Sequence, residues 1–256
     1  SLTQADTIYT GGGADSMTLA AGHTAQDQIE LFASNDAASA TSIVAGGYTK
    51  AIGSSIVTSS DVPQLGWWGQ ATGQKGGPVS NATTNLGYGV GTSLDMSIVS
   101  KYQVASASST GDVVDISLSS FSGLLSSAGP WNQGPQLGNA ILSNTLHLGG
   151  TVTTFNADVL LITSSTGFKD ASALSASLAS TSTAITFNGW QAAGIHHYIV
   201  AYNDQGNNTR IADMDIHSQS AFLNTSQGQT LAISDMVQLL GVDVTKLASG
   251  NIHFIT

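Results

Sequence analysis

Ile195-His196-His197-Tyr198-Ile199-Val200-Ala201-Tyr202, followed by Asn203-Asp204-Gln205-Gly206-Asn207-Asn208 and then by Thr209 through His217, decides the fold class. The first eight residues are mostly β-branched, aromatic or apolar, which suits a pleated, packed strand. The next six are turn formers: Asn and Asp bond their own backbone, and Gly takes positive φ without steric penalty. The return segment alternates Ile211, Asp213 and Asp215 with Ala212, Met214 and Ile216, the period of two of a strand that buries one face. A β-hairpin is expected here, and a mainly β chain around it.

Working outward, two more segments begin at Asp and run apolar: Asp112-Val113-Val114-Asp115-Ile116-Ser117-Leu118 and Asp158-Val159-Leu160-Leu161-Ile162-Thr163. Both read as strands. Upstream, residues 33–110 carry short strand candidates at 42–45, 54–58, 86–90 and 95–104 within Ser/Thr/Gly-rich connections. The four prolines, Pro63, Pro78, Pro130 and Pro135, mark loops. Two helices are expected. One has Asp170 as N-cap with Ala171, Leu174 and Leu178 on one face, and the other covers Asp235–Leu240 and ends at Gly241.

The first 32 residues hold a repeat. Asp6-Thr7-Ile8, Asp15-Ser16-Met17 and Asp27-Gln28-Ile29 each read Asp, any residue, apolar, with Gly11-Gly12-Gly13 before the second. Short strands between Gly-rich turns at a nine-residue period suit a parallel β-roll. Glycine turns expose carbonyls and the Asp adds a carboxylate, so stacked turns offer a hard cation oxygen ligands alone.

Residues 5–19 resemble the calcium-binding nonapeptide repeats of RTX-type proteins, which bacteria export through type I systems. Thr10 replaces the first Gly of the pattern Gly-Gly-x-Gly-x-Asp-x-apolar-x, while Gly11, Gly13, Asp15 and Met17 match it. Phe187–Thr256 is similar to the C-terminal β domains of such proteins and of some bacterial surface-layer proteins. The shared features are the Tyr-rich strand, the Asn/Asp/Gly turn, the Ala-Asp-x-Asp return, Leu239-Leu240-Gly241-Val242 and an apolar end at Ile252-His253-Phe254-Ile255. The resemblance implies a secreted calcium protein with an uncleaved C-terminal export signal. It covers about the first 30 and the last 70 residues.

Composition points the same way. Of 256 residues 41% are apolar, enough to fold, yet only 9% are charged, so hydroxyl and amide groups must carry solubility. Fifteen of the sixteen acidic residues are Asp, Glu30 being the exception, a bias toward turns and oxygen-ligand sites. A net charge of −10 with six Lys and Arg disfavours nucleic acid and anionic lipid as partners and favours cations. Without cysteine, neither disulfides nor thiolate metal sites arise. There is no charged-then-apolar leader and no apolar run long enough to span a bilayer.

No catalytic motif has the required spacing: His-Glu-x-x-His, Gly-x-Ser-x-Gly and the phosphate-binding loop are all missing. The carboxylate pairs Asp112/Asp115 and Asp213/Asp215 resemble the paired acids of glycosidases; Asp213 and Asp215 share a strand face, which suits a shared cation or a solvated face as well. Adjacent His196 and His197 point to opposite faces, so at most one joins His217 at a metal. Trp67, Trp68 and Trp131 lie in loops, where they either stack on a glycan or plug the end of the β structure.

The expectation is a mainly β chain. A short parallel β-roll leads into a β-sandwich or irregular β-solenoid, with one or two short helices late; 1–110 hold the roll-like part and 111–256 a C-terminal β domain in extensive contact with it. The expected function is that of a secreted, non-catalytic, calcium-binding structural protein of the bacterial surface that self-associates into arrays or filaments. Its metal candidates are Asp6, Gly11, Gly13, Asp15, Asp27, Asp213 and Asp215. The alternatives are the ligand-binding tip of a large adhesin, using Trp67, Trp68 or Trp131 on a glycan or cell-surface polysaccharide, and the export domain of a secreted hydrolase.

Overall fold

A computed structural model describes residues 3–9, 15–31, 51–52, 55–56, 89–92, 96–106, 110–118, 134–147, 157–179, 194–218 and 230–256. Its strands are β1 (Thr7–Tyr9), β2 (Ser16–Thr18), β3 (Gln28–Leu31), β4 (Ala51–Ile52), β5 (Ser55–Ile56), β6 (Gly89–Thr92), β7 (Ser97–Ser100), β8 (Val113–Ser117), β9 (Gly138–Asn139), β10 (Leu146–His147), β11 (Val159–Thr163), β12 (Gly194–Asn203), β13 (Thr209–Ser218), β14 (Thr230–Leu239) and β15 (Ile252–Ile255). Among the described residues one α-helix, α1 (Ala171–Ala179), lies between β11 and β12. The fold is mainly β, as expected.

The first sheet runs β1-β3-β8-β15-β9 and the second β10-β11-β12-β13-β14-β7-β2, with β6 also beside β14. Early strands alternate between them. β1 lies in the first sheet, β2 in the second, β3 in the first, β7 in the second and β8 in the first, and each pairs in parallel with the preceding strand of its own sheet. The chain thus winds as a short parallel roll, and β14 to β15 repeats the same step. Strands from both sides of residue 110 share both sheets.

The Asp-x-apolar triplets explain the winding. Their third residues, Ile8, Met17, Ile29 and then Val114, all point into one core between the sheets, joined by Leu31, Ile116, Ile252 and Phe254 from the first sheet and Val99, Ile199, Ile211, Val237 and Leu239 from the second. Asp158-Val159-Leu160 reverses this phase. Val159 enters the inter-sheet core, and Leu160 turns to a second core on the far side of the second sheet. There Leu160, Ile162, Tyr198, Val200, Tyr202 and Met214 meet Leu174 and Leu178 of α1. Burying each such side chain stabilises the fold by about 2 kcal/mol. Asp170 caps α1 as expected, accepting the Ala173 N–H at 2.9 Å.

Two expectations need correction. Residues 235–240 do not form a helix: Asp235 to Leu239 belong to β14, the neighbour of β13, β6 and β7, and Leu240 begins the turn that follows. The run is apolar because a central strand with a core on each face must be, with Ile233 on one side and Val237 and Leu239 on the other. For the same reason β13 does not bury one face only. Ile211, Ala212, Asp213 and Met214 are all buried. The hairpin itself, β12 to β13, is fully paired from Gly194↔Ser218 to Asn203↔Thr209.

Candidate functional site

The residues that precede β1, β3 and β8 form a column at one corner of the roll, because Thr7 pairs with Gln28 and Gln28 with Val113. Asp6, Asp27 and Asp112 therefore stack, and the carboxylates of Asp27 and Asp112 each reach the rung above. The Asp6 N–H donates to Asp27 Oδ1 at 3.0 Å, and the Asp27 N–H to Asp112 Oδ1 at 3.1 Å. Asp112 Oδ2 accepts the Gln103 N–H at 2.6 Å. Gly111, at φ +67°, lets residues 104 and 105 pass this close, since a Cβ there would fall on the Ala105 backbone.

Below the ladder Tyr102 is buried, its hydroxyl 2.7 Å from the Asp112 carbonyl and 2.9 Å from that of Asn251. Burial pushes the phenol far above its ordinary pKa. Asn251 closes the corner, donating from Nδ2 to the Asp112 carbonyl at 2.8 Å and accepting the Ala105 N–H at 3.1 Å.

The turn between β2 and β3 inserts His23 into this column. Its Nε2 lies 2.6 Å from Asp112 Oδ1 and 3.7 Å from Asp27 Oδ2, and its Nδ1 lies 2.5 Å from the Ala20 carbonyl. The Gln103 side-chain amide holds the turn by donating to the His23 carbonyl at 2.8 Å. A carboxylate and a carbonyl are both acceptors, which favours a proton on each ring nitrogen, while the Gln103 side-chain nitrogen lies 3.2 Å from Nδ1. The His23 pKa is raised above the ordinary histidine value by the hydrogen bond to Asp112, with burial opposing and the Ala20 carbonyl, Asp112 and Asp27 reinforcing.

His23, Asp27 and Asp112 are also the group whose ligand atoms converge enough to hold a metal ion among the described residues. A protonated ring supplies positive charge here, and an ion would have to displace the proton between Nε2 and Asp112.

The expected ligands are distributed as follows. Asp6 and Asp27 come together. Asp15 does not join them; it precedes β2 in the other sheet, where its carbonyl accepts the Ile98 N–H at 2.7 Å. Asp213 is buried in β13, with His197 Nδ1 3.1 Å from its Oδ2. Asp215 lies on β13, its side chain outside the described residues, as are Gly11, Gly13, Trp67, Trp68 and Trp131. His23 was missed because nothing in Gly22-His23-Thr24 signals a role. Asp112 was noted, and aligning the triplets at 6, 27 and 112 would have found its column.

A second polar network lies under the hairpin. Arg210 Nη1 donates to Asp235 Oδ2 at 2.7 Å, and Tyr202 Oη donates to Asp235 Oδ1 at 2.7 Å. Asp204 accepts the N–H groups of Gly206 and Asn208 at 2.8 and 2.9 Å, which closes the turn; with the Asn208 and Gln238 side chains these bonds hold its carboxyl below the ordinary value despite burial.

Compared with known proteins, the chain matches no family profile, no curated protein and no solved structure. No helix among the described residues is long and apolar enough to cross a membrane.

Proposed function

We propose that the protein is a secreted structural component of a bacterial surface, non-catalytic, stabilised by calcium and self-associating outside the cell. The observation that carries this reading is the winding: parallel strands that alternate between two sheets, with β1, β2, β3 and β8 each entered through an Asp. Stacked Asp-led corners are an arrangement that a hard cation stabilises, because carboxylates brought into register repel until neutralised. At the Asp6–Asp27–Asp112 corner His23 does this. Calcium then goes to the Gly11-Gly12-Gly13-Ala14-Asp15 segment, on the strength of its sequence pattern. The low charge density supports close packing of identical subunits.

The test is size-exclusion chromatography with light scattering, with parallel thermal melts, in EDTA and then in millimolar calcium. A calcium-dependent rise in both mass and melting temperature is expected, and Asp15→Asn should remove it. Identical mass and melting in the two conditions would overturn the reading.

A further inference from the structure

At the corner of the roll one ligand atom each of His23, Asp27 and Asp112 lies within 4.8 Å of the other two, and all three side chains are buried. His23 Nε2 stands 2.6 Å from Asp112 Oδ1 and 3.7 Å from Asp27 Oδ2. Two ligand atoms about 2.0–2.1 Å from one tetrahedral ion are roughly 3.4 Å apart, a value these two separations bracket.

Each of the three side chains is anchored through its other polar atom. His23 Nδ1 lies 2.5 Å from the Ala20 carbonyl, an acceptor that favours a proton on Nδ1 and turns Nε2 to the carboxylates. Asp27 Oδ1 accepts the Asp6 N–H at 3.0 Å, and Asp112 Oδ2 accepts the Gln103 N–H at 2.6 Å. Metal-binding side chains are oriented in this way, the ring by giving its second N–H to a carbonyl and the carboxylates by accepting hydrogen bonds. Charge fits as well. A ring with both protons sets one positive charge against two buried carboxylates, whereas a divalent ion on a neutral ring balances both.

We propose that His23, Asp27 and Asp112 bind a divalent transition-metal ion, with zinc the best fit, through Nε2 and one oxygen of each carboxylate. The ion takes the place of the proton between Nε2 and Asp112, and that pair opens from 2.6 Å to about 3.4 Å. The imidazole nitrogen selects zinc over calcium, which takes oxygen ligands. Ala21, Gly22 and Thr24 are exposed, so the turn that carries His23 faces solvent and admits the ion when it lifts. Asp27 and Asp112 are 85 residues apart, and the bound ion would cross-link them.

The test unfolds metal-stripped protein and refolds it with zinc, with calcium or with neither. Retained metal and melting temperature are then read after desalting, and zinc affinity by competition with a chelator. The zinc-refolded protein should keep one ion per chain and melt higher than the metal-free form, and calcium should not substitute. Cobalt in place of zinc should give the visible absorption of a tetrahedral site, a reading that needs no variant. His23→Gln should weaken zinc binding by more than the roughly 10- to 100-fold that loss of an outer-sphere partner costs. Asp27→Asn, which keeps an acceptor for the Asp6 N–H, should show the same loss if His23→Gln does not fold. His253→Ala should leave zinc retention unchanged. So should Asp15→Asn, which removes the calcium response proposed above, and the two metal readings can therefore fail separately. The proposal is overturned if the parent keeps no zinc, if His23→Gln or Asp27→Asn binds it as tightly as the parent, or if His253→Ala abolishes binding.

Discussion

His23 is held by two acceptors, Asp112 and the Ala20 carbonyl, with Asp27 as a further negative neighbour and Gln103 as the other polar group against it. A neutral ring would have to turn a lone pair toward one of those oxygens. Because its folded-state pKa is raised above the unfolded value of 6.5, the stability it supplies is fully present below pH 6.5 and is lost as pH rises through the raised value. Melting temperature should therefore fall on the alkaline side of that window. His23→Gln should flatten this part of the profile and cost about 3 kcal/mol at pH 6, as breaking a buried charge pair does; an unchanged profile in the variant would locate the effect elsewhere. The partnership was illegible in sequence for a plain reason. His23 and Asp112 are 89 residues apart, and only the pairing of β3 with β8 brings them together.

At the scale of elements, legibility followed the number of cores an element touches. The β12–β13 hairpin could be read because its turn chemistry is local, and α1 because Asp170 and the spacing of Leu174 and Leu178 suffice. β14 could not, since a strand buried on both faces has no period of two, and Met236, Val237, Leu239 and Leu240 pass for a helical stripe. The hairpin turn docks on the loop before α1, where Gly167 sits at φ +68° with the Asp204 carbonyl occupying the place of a side chain. Phe168 then packs edge-on against Tyr202, ring centroids 5.8 Å apart. Gly167→Ala should lose about 3 kcal/mol, from strain and from displaced backbone. Gly241→Ala, at φ +74° but facing open space, should lose only about 1 kcal/mol. Urea unfolding of the two variants would check the contrast; equal losses would mean that the contact at Asp204 is not tight.

For the molecule as a whole, the inter-sheet core draws on strands from both ends of the chain, so unfolding should be a single cooperative transition. Phe254 is 1% exposed in that core, and Phe254→Ala should cost about 4 kcal/mol by urea titration while keeping one transition. Two separated transitions would show that the halves on either side of residue 110 are independent. The roll was legible because Asp-x-apolar triplets recur. The placement of β15 between β8 and β9 was not, since no local pattern names a strand's distant neighbours. That placement governs the order of events during synthesis. Asn251 reaches Asp112 across 139 residues, so the first sheet stays open at its middle until β15 has been made. Closing so long a span is slow, because loop entropy is lost before the contacts that reward it form. The first sheet therefore gains its full set of pairings in one late step.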